Sequence, residues 1–205
     1  VVEVGMGGRW DATNAADCSI AVITTVGVDH TEFLGSTPAR IAFDKAHVAR
    51  KNRDLLVGPV SAGVRAVIRG VSLRIGARPV FLSDDSQIPG EPVSPGSRRQ
   101  SPRHPQIYGS DLSLARMASK AILKSKFSSH KVAIGIQRSV LPGRFQTKIV
   151  TGRRMILDVA HNEQALGALF SAIRLRFGSA RLVVLLGMQR QKTGENAILR
   201  YLGSG

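Results

Sequence analysis

The sequence contains little cysteine, few aromatic residues and no long apolar segment. Cys18 is the single cysteine in 205 residues, which excludes an internal disulfide framework and is typical of a reducing compartment. Its apolar surroundings favour a buried structural thiol over a nucleophile. No run approaches the roughly 20 apolar residues that cross a bilayer. We therefore expect no membrane association and a cytoplasmic location. The mitochondrion and the plastid stay open, because a targeting peptide ahead of Val1 would escape detection.

Acidic residues are scarce relative to basic ones. The chain has 29 Lys and Arg against 14 Asp and Glu, a formal net charge of +15. Such a charge favours anionic partners. Aromatic residues make up only 5%, however, and arginine is spread along the chain without a motif that binds DNA or RNA. We therefore expect no specific nucleic acid partner.

Two apolar segments near the start of the chain predict strands with polar residues at their ends. The first covers residues 1–5 and runs into a glycine-rich turn (7–14), and the second covers residues 21–27. Both are continuous and β-branched, as in parallel strands buried on both faces, so the fold class is α/β with a parallel sheet. Glu3 and His30 would then share the crevice where such sheets bind ligands. A carboxylate and an imidazole there suit a divalent cation beside phosphates.

Periodicity and helix-breaking residues predict further elements. Pro38 lies in the first turn of a predicted helix, and Gly58 and Pro59 end a predicted strand. Helices are predicted over 37–53, 62–75 and 112–127, and strands over 79–82, 155–157 and 182–187.

Several short motifs occur in a fixed order along the chain. They are Glu3-Val4-Gly5-Met6-Gly7-Gly8-Arg9, Asp11-Ala12-Thr13-Asn14, Asp29-His30, Leu34-Gly35, Ile41-Ala42-Phe43-Asp44-Lys45-Ala46, Leu141-Pro142-Gly143-Arg144-Phe145-Gln146 and Leu157-Asp158-Val159-Ala160-His161-Asn162. Each motif alone is weak. Their order and spacing together resemble the folylpolyglutamate synthase and dihydrofolate synthase branch of the Mur ligase superfamily.

The resemblance implies an ATP-dependent ligase. In this branch the carboxylate of a pteroate or folate takes the γ-phosphoryl group of ATP, and the amine of L-glutamate then displaces phosphate from the acyl phosphate. The implied cofactor is Mg²⁺, and the implied partners are ATP, L-glutamate and a folate or dihydropteroate. We expect a monomer, and we expect part of the positive charge to serve ATP and a polyanionic folyl chain. Which of the two synthase activities applies stays open.

The resemblance assigns the metal side of the site to three residues. Glu3 and His30 look like Mg²⁺ ligands, and Lys45 looks like the catalytic lysine that is carbamylated in many members. A carbamate turns a cation into an anion that can orient a metal or its waters, whereas a free ammonium would contact phosphate directly. The residues alone leave alternatives open. Glu3 can be a surface carboxylate, His30 with Asp29 can begin a helix at Thr31, and Lys45 can be a solvated helix lysine.

The nucleotide side is assigned in the same way. By resemblance Arg144 contacts ATP, Asp158 contacts the ribose, and the catalytic His161 lies near the incoming glutamate and the phosphates. A guanidinium can bind phosphate oxygens in a bidentate fork, and a carboxylate at a strand end can accept two hydroxyls. The alternatives are a solvated Arg144, a surface Asp158, and a packing or capping role for His161, which with Asn162 opens a helix.

The resemblance also predicts the domain organisation. Residues 1–139 would form part of a central ATPase domain, with a flexible insertion at 83–106 that is rich in proline, glycine, serine and arginine. Residues 140–205 would begin a Rossmann-like carboxyl-terminal ligase domain. The family's phosphate-binding Gly-x-x-x-x-Gly-Lys-Ser/Thr loop is absent from the 205 residues. We therefore expect an interior fragment of a longer ligase, inactive by itself.

Some positions depart from the family pattern. Asp44 and His47 stand where the family has glutamate and glycine, and Leu141 replaces a tryptophan. The stretch 104–111 lacks an asparagine that is expected to contact ATP. The alternative hypothesis is therefore a noncatalytic basic fragment or decayed relic that binds polyanions nonspecifically. A cell-wall Mur ligase is disfavoured by the glycine-rich motif.

Overall fold

A computed structural model describes residues 1–82, 109–139 and 141–187. They fall into two compact units, the first containing 1–82 and 109–134 and the second containing the described residues from Gly135 onward. The predicted insertion at 83–106 lies outside the described residues. The domain boundary expected after residue 139 stays a prediction.

The first unit is built on a parallel sheet. Its strands are β1 (Ile20–Ile23), β2 (Asp54–Val57) and β3 (Arg78–Phe81), which lie side by side in that order. Both pairs are parallel, with Asp54 opposite Ile20 on one side and Arg78 on the other. The predicted α/β class with a parallel sheet is confirmed.

Five helices accompany this sheet. They are α1 (Thr31–Leu34), α2 (Pro38–Lys45), α3 (Ala62–Ile75), α4 (Gly109–Leu123) and α5 (Ser129–Arg138), which runs from the first unit into the second. Short 3-10 turns lie at Ala12–Ala15, Ala46–Val48 and Lys124–Lys126. Helix α3 has the predicted bounds, whereas α2 is shorter than the predicted helix over 37–53, because the chain must turn and become extended before β2. In the described part of the chain, no helix is long and apolar enough to cross a membrane.

Both faces of β2 are covered, which explains its uninterrupted apolar sequence. Leu55 and Val57 are fully buried in a cluster with residues of α2 and α3, including Ala42 and Ile68. Leu56 points to the opposite face, where it belongs to a separate cluster with Leu114 of α4. The parallel sheet is thus a layer between helices, and its strand ends are left to carry polar groups.

The second unit contains a hairpin and a helix. Strands β4 (Gln146–Val150) and β5 (Arg153–Leu157) pair antiparallel, and α6 (Glu163–Phe177) follows. Its core consists of Phe145, Leu166, Phe170, Ala172 and Ile173. The predicted strand over 155–157 is confirmed within β5, and the predicted helix start after Asn162 is confirmed by α6.

Two predicted strands are wrong. Residues 1–5 and 181–187 have no regular secondary structure. Their composition suits strands, but a strand also needs a neighbour that completes its hydrogen bonds. No strand of the described residues pairs with either segment. Most of their apolar side chains are exposed, with Val4 half-buried, and Val183 and Leu185 are 100% and 99% exposed.

Candidate functional site

Asp11 organises the glycine-rich turn that follows Glu3. Its Oδ2 accepts hydrogen bonds from the backbone N–H groups of Gly5 (3.1 Å) and Met6 (3.0 Å), and its Oδ1 accepts from the backbone N–H of Thr13 (2.9 Å) and from the Thr13 hydroxyl. The Thr13 hydroxyl is the largest cause that lowers the pKa of Asp11 from 3.8 to about 2, followed by the backbone N–H groups. The carboxylate is therefore ionised at neutral pH and holds the turn on both sides.

Two glycines of this turn pack against the end of the helix that carries Lys45. Both Gly7 and Gly8 are buried, and Gly7 has a left-handed φ of +65°. A Cβ on Gly8 would lie 2.9 Å from the Lys45 carbonyl oxygen, closer than real Cβ atoms approach. A Cβ on Gly7 would collide with the Asp44 carboxylate. The absence of side chains thus lets the segment after Glu3 approach the Lys45 backbone directly.

Glu3 and His30 have exposed side chains. His30 occupies the position before α1 with a left-handed backbone (φ 50°, ψ 42°), and its backbone N–H donates to Asp29 Oδ1 at 2.9 Å. Its carbonyl accepts from the N–H groups of Phe33 and Leu34, while its imidazole makes no capping hydrogen bond. The helix start therefore uses the His30 backbone and leaves the ring for another role.

The metal side does not contain a complete cage of protein ligands. In residues 1–82, 109–139 and 141–187, no group of three or more His, Cys, Asp or Glu side chains lies close enough to hold a metal ion. Mg²⁺ usually takes one or two carboxylates and completes its octahedron with water and substrate phosphates. Glu3 supplies one exposed carboxylate of this kind and His30 an exposed imidazole nitrogen, and their role as Mg²⁺ ligands stays a prediction.

In the second unit, Arg144 lies in a tight turn between Pro142 and Gln146. Gly143 (φ 70°) and Phe145 (φ 46°) both have left-handed backbones. The Gly143 N–H donates to Gln146 Oε1 at 3.2 Å, and the Arg144 N–H donates to the Leu141 carbonyl at 3.2 Å. Phe145 is buried while Arg144 is exposed. The turn thus anchors one side chain in the core and presents the neighbouring guanidinium to solvent.

Asp158 joins this turn to the segment after β5. Its Oδ2 accepts from the Phe145 N–H at 2.7 Å, and its Oδ1 accepts from the Ala160 N–H at 2.8 Å. The carboxylate therefore fixes two motifs together, a role that the sequence analysis missed. The Asp-x-Ala spacing, which suits a side chain bonded to a backbone N–H two residues on, is the signal for half of it.

His161 and Asn162 have different roles at the start of α6. Asn162 is the N-cap, and its Oδ1 accepts from the Ala165 N–H at 2.9 Å. His161 is exposed, and its Nδ1 donates to the Val159 carbonyl at 2.9 Å. Asn162, not His161, therefore supplies the cap.

Comparison with known proteins finds relatives that are similar to this chain in both sequence and fold. The chain is 31% identical over 199 residues, 94% of its length, to the dihydrofolate synthase/folylpolyglutamate synthase of Escherichia coli K12, of which it covers 46%. The solved structure described as E. coli FolC in complex with DHPP and ADP superposes with a TM-score of 0.79 at 29% identity, covering 98% of this chain and 49% of that one.

The chain belongs to the dihydrofolate synthase/folylpolyglutamate synthase family.

This family member is also similar to the bifunctional folylpolyglutamate synthase/dihydrofolate synthase from Yersinia pestis, whose structure was solved with AMPPNP and a Mn ion. The TM-score is 0.63 at 30% identity, and the match covers 84% of this chain and 42% of that one. No protein-family model matches the chain. The family member spans about half the length of the curated relatives that it matches.

The departures from the family pattern have local structural consequences in this member. Asp44 lies against Gly7, and its Oδ2 is 3.4 Å from the backbone nitrogen of Arg9. His47 Nδ1 is 2.8 Å from the Phe43 carbonyl, and the two rings meet edge to face at 4.8 Å. Both replacements are thus accommodated by contacts with the glycine-rich turn and α2. The departure predicted in 104–111 lies mainly outside the described residues, which resume at Gly109.

The structure gives this family member one further polar cluster that the sequence analysis missed. Arg50, beyond α2, reaches back to Asn14 and Ala16 at the end of the glycine-rich turn. Nothing in the local sequence marks Arg50 among the 29 basic residues. Only the fold brings it to residues that lie more than 30 positions earlier.

Proposed function

We propose that this family member takes part in the ATP-dependent addition of L-glutamate to the carboxylate of a pteroate or folate. The observation that supports the proposal most strongly is the 31% identity to the E. coli synthase over 94% of this chain. It is supported further by the exposed side chains of four motif residues, Glu3, His30, Arg144 and His161. Because the chain covers about half of its relatives, the activity is proposed for these residues together with the parts that complete such a synthase.

The proposed reaction has two steps, phosphorylation of the acceptor carboxylate and amide formation. A carboxylate oxygen of the pteroate or folate attacks the γ-phosphorus of ATP, which forms an acyl phosphate and releases ADP. The amine nitrogen of L-glutamate then attacks the acyl carbon, the C–O bond to phosphate breaks, and the amine loses a proton. The products are an amide, inorganic phosphate and ADP. Both steps demand that anionic groups be held close together, so catalysis depends on positioning and on charge neutralisation.

On the metal side, we assign Glu3 and His30 as the protein ligands of Mg²⁺. Bound there, the ion would neutralise charge on the phosphate oxygens. Lys45 has no hydrogen bond or ion pair from its amine to any described residue. An amine without a carboxylate partner is suited to carbamylation, which would supply an anion to orient the metal or its waters.

On the nucleotide side, we assign Arg144 to the phosphates of ATP, Asp158 to the ribose and His161 to the region of the incoming glutamate. The exposed guanidinium of Arg144 is presented by a turn whose next residue is buried, so its backbone is fixed before a ligand arrives. A prearranged donor costs less ordering entropy on binding than a mobile one.

The remaining parts of the proposal concern partners and location. We propose a monomer that acts in the cytoplasm on small molecules, without a specific nucleic acid partner. The arginine contacts support the absence of a nucleic acid partner. Five arginines lie over aromatic rings of the protein itself, at positions 9, 65, 69, 154 and 176. The planar faces of these guanidinium groups are thus partly used in packing within the protein.

The test is phosphate release by a chimera in which this chain replaces the homologous half of the E. coli synthase. The assay contains Mg²⁺, ATP, L-glutamate and either dihydropteroate or tetrahydrofolate, and each component is omitted in turn. The isolated 205-residue chain is assayed beside it, as is the E. coli synthase, whose activity establishes that the assay works. Circular dichroism and thermal melting verify that the chimera is folded.

Release that requires both glutamate and a pterin compound supports the ligase and identifies the acceptor. A folded chimera without such release contradicts the proposal. If that chimera and the isolated chain also bind heparin and RNA alike, the alternative of a basic polyanion-binding relic takes its place.

A further inference from the structure

We propose that Arg50 is a positioning residue that fixes the glycine-rich turn (7–14) against the segment that carries Lys45. The proposal rests on the proposed function in one respect, the roles of Glu3 and Lys45. It is carried by the contacts of one guanidinium with two segments that lie far apart in sequence.

The first set of contacts is with the glycine-rich turn and the residues just beyond it. Arg50 Nη1 donates to Asn14 Oδ1 at 2.7 Å, and Nη2 donates to the Asn14 carbonyl and to the Ala16 carbonyl, the latter at 3.1 Å. Asn14 in turn donates from Nδ2 to the Arg9 carbonyl at 3.1 Å. The guanidinium therefore reaches the middle of the turn through one amide side chain, with the amide oxygen and nitrogen each satisfied.

The second set of contacts is with the end of the 3-10 turn that continues α2. Arg50 Nη1 lies 3.1 Å from the Ala49 carbonyl, 3.3 Å from that of Val48 and 3.4 Å from that of His47. Terminal carbonyls of a helical segment lack intrahelical donors and carry partial negative charge. Nη1 has two hydrogens for Asn14 Oδ1 and these three carbonyls, so it shares its hydrogen bonds among them.

All of these acceptors are neutral. Among the described residues, Arg50 has no carboxylate partner. A surface ion pair would tolerate lysine. Lysine cannot replace a planar guanidinium that bonds to two separate segments, because an ammonium is a compact charge with a single centre. Arg50 is half-buried, so its contacts are partly protected from water.

The geometry gives Arg50 a specific consequence for the site. Gly8 already lies against the backbone of Asp44 and Lys45, and Gly7 lies against the Asp44 carboxylate. Arg50 adds a second attachment at the other end of the same turn. Two attachments fix both the position and the orientation of the turn, whereas one leaves it able to pivot. Glu3 lies two residues before Gly5, whose N–H donates to Asp11, so the position of the turn determines where the chain at Glu3 lies relative to Lys45.

The first experiment measures hydrogen exchange in the 205-residue chain with Arg50→Lys and Arg50→Met. We expect amides in residues 5–14 to exchange about tenfold faster in both variants, because the charged hydrogen bonds that close local opening are lost. Amides of α3 and β2 should keep their wild-type rates. The matched control is Arg74→Lys, since Arg74 is an exposed arginine near the end of α3.

The second experiment measures the Mg²⁺ dependence of turnover in the chimera with the E. coli synthase. Arg50→Lys should raise the apparent KM for Mg²⁺ by about tenfold or more, as loss of a residue that orients metal ligands does, with a smaller change in the KM for glutamate. A merely structural role would lower the melting temperature without changing the ratio of the two KM values.

Unchanged exchange in residues 5–14, or a uniform rise across α3 and β2, overturns the positioning role. A chimera that is inactive with arginine at position 50 contradicts the proposed function instead, and the exchange measurement on the chain still decides the role of Arg50.

Discussion

Asp158 accepts a hydrogen bond of 2.7 Å from the backbone N–H of Phe145, and this bond ties two motifs that lie thirteen positions apart in sequence. The same carboxylate accepts from the Ala160 N–H, two residues on. Because Phe145 has a left-handed backbone and a buried ring, the bond also stabilises an unfavourable conformation next to Arg144. The residue that is expected to contact ribose therefore also stabilises the turn that carries Arg144.

Asp158→Asn should destabilise the chain by about 1–3 kcal/mol. The amide oxygen can replace one carboxylate oxygen, but the amide nitrogen cannot accept the second backbone hydrogen bond, so one N–H is left unsatisfied. Urea denaturation followed by far-ultraviolet circular dichroism measures the change. Asp17→Asn is the matched control, because the Asp17 side chain is 84% exposed and its nearest approach to Arg53 is a long 3.9 Å. Equal midpoints for wild type and Asp158→Asn would show that the two bonds contribute nothing.

Asp11 should make the stability of the glycine-rich turn dependent on acid pH. Its pKa is lowered in the folded chain from 3.8 to about 2, so the stabilisation is complete above the ordinary value and is lost as the pH falls from about 4 through about 2. Melting temperatures between pH 5 and pH 2 should therefore fall more steeply for wild type than for Asp11→Asn. Thr13→Val, which removes the largest cause of the lowered pKa, should give an intermediate slope. Identical slopes for all three proteins would refute the linkage.

Gly8→Ala should destabilise the chain by about 1–3 kcal/mol, since its Cβ would meet the Lys45 carbonyl, and backbone on both sides must shift. Gly70→Ala is the matched control. Gly70 lies within α3, and an added Cβ would meet only the end of the Arg74 side chain at 3.8 Å. That change should stabilise the helix by roughly 0.5–1 kcal/mol. Thermal melting measures whether each substitution lowers or raises the stability. Equal changes in melting temperature for the two variants would mean that the Gly8 contact does not constrain the turn.

Glu3→Ala and His30→Gly should abolish Mg²⁺-dependent turnover in the chimera while leaving its melting temperature almost unchanged. Both side chains are exposed, and glycine retains the left-handed backbone of His30 without strain. Glu32→Ala, which removes an exposed carboxylate in α1, is the control and should remain active. Full activity in either test variant would remove that residue from the metal site.

Much of the fold could be predicted because local signals agreed with the tertiary structure. The bounds of α3 were predicted in full, since an apolar helical period precedes Gly76, whose left-handed backbone ends the helix. Thr37 and Pro38 likewise identify the start of α2, and Thr37 accepts from the Arg40 N–H. The strands over 1–5 and 182–187 failed for the opposite reason. Their β-branched residues indicate a preference, but pairing depends on a neighbour that the local sequence does not describe.

The candidate site shows the same division. The order of the motifs alone led to the family, to the metal side at Glu3, His30 and Lys45, and to the nucleotide side at Arg144, Asp158 and His161; the family is confirmed and the individual roles stay predictions. Sequence alone could not predict the contacts between distant segments. These are the hydrogen bond from Arg50 to Asn14, the close approach of Gly8 to the Lys45 carbonyl and the hydrogen bond from Phe145 to Asp158. Motif chemistry depends on residue type and spacing, which the sequence determines. Contacts between distant segments depend on backbone paths that only the packed tertiary structure decides.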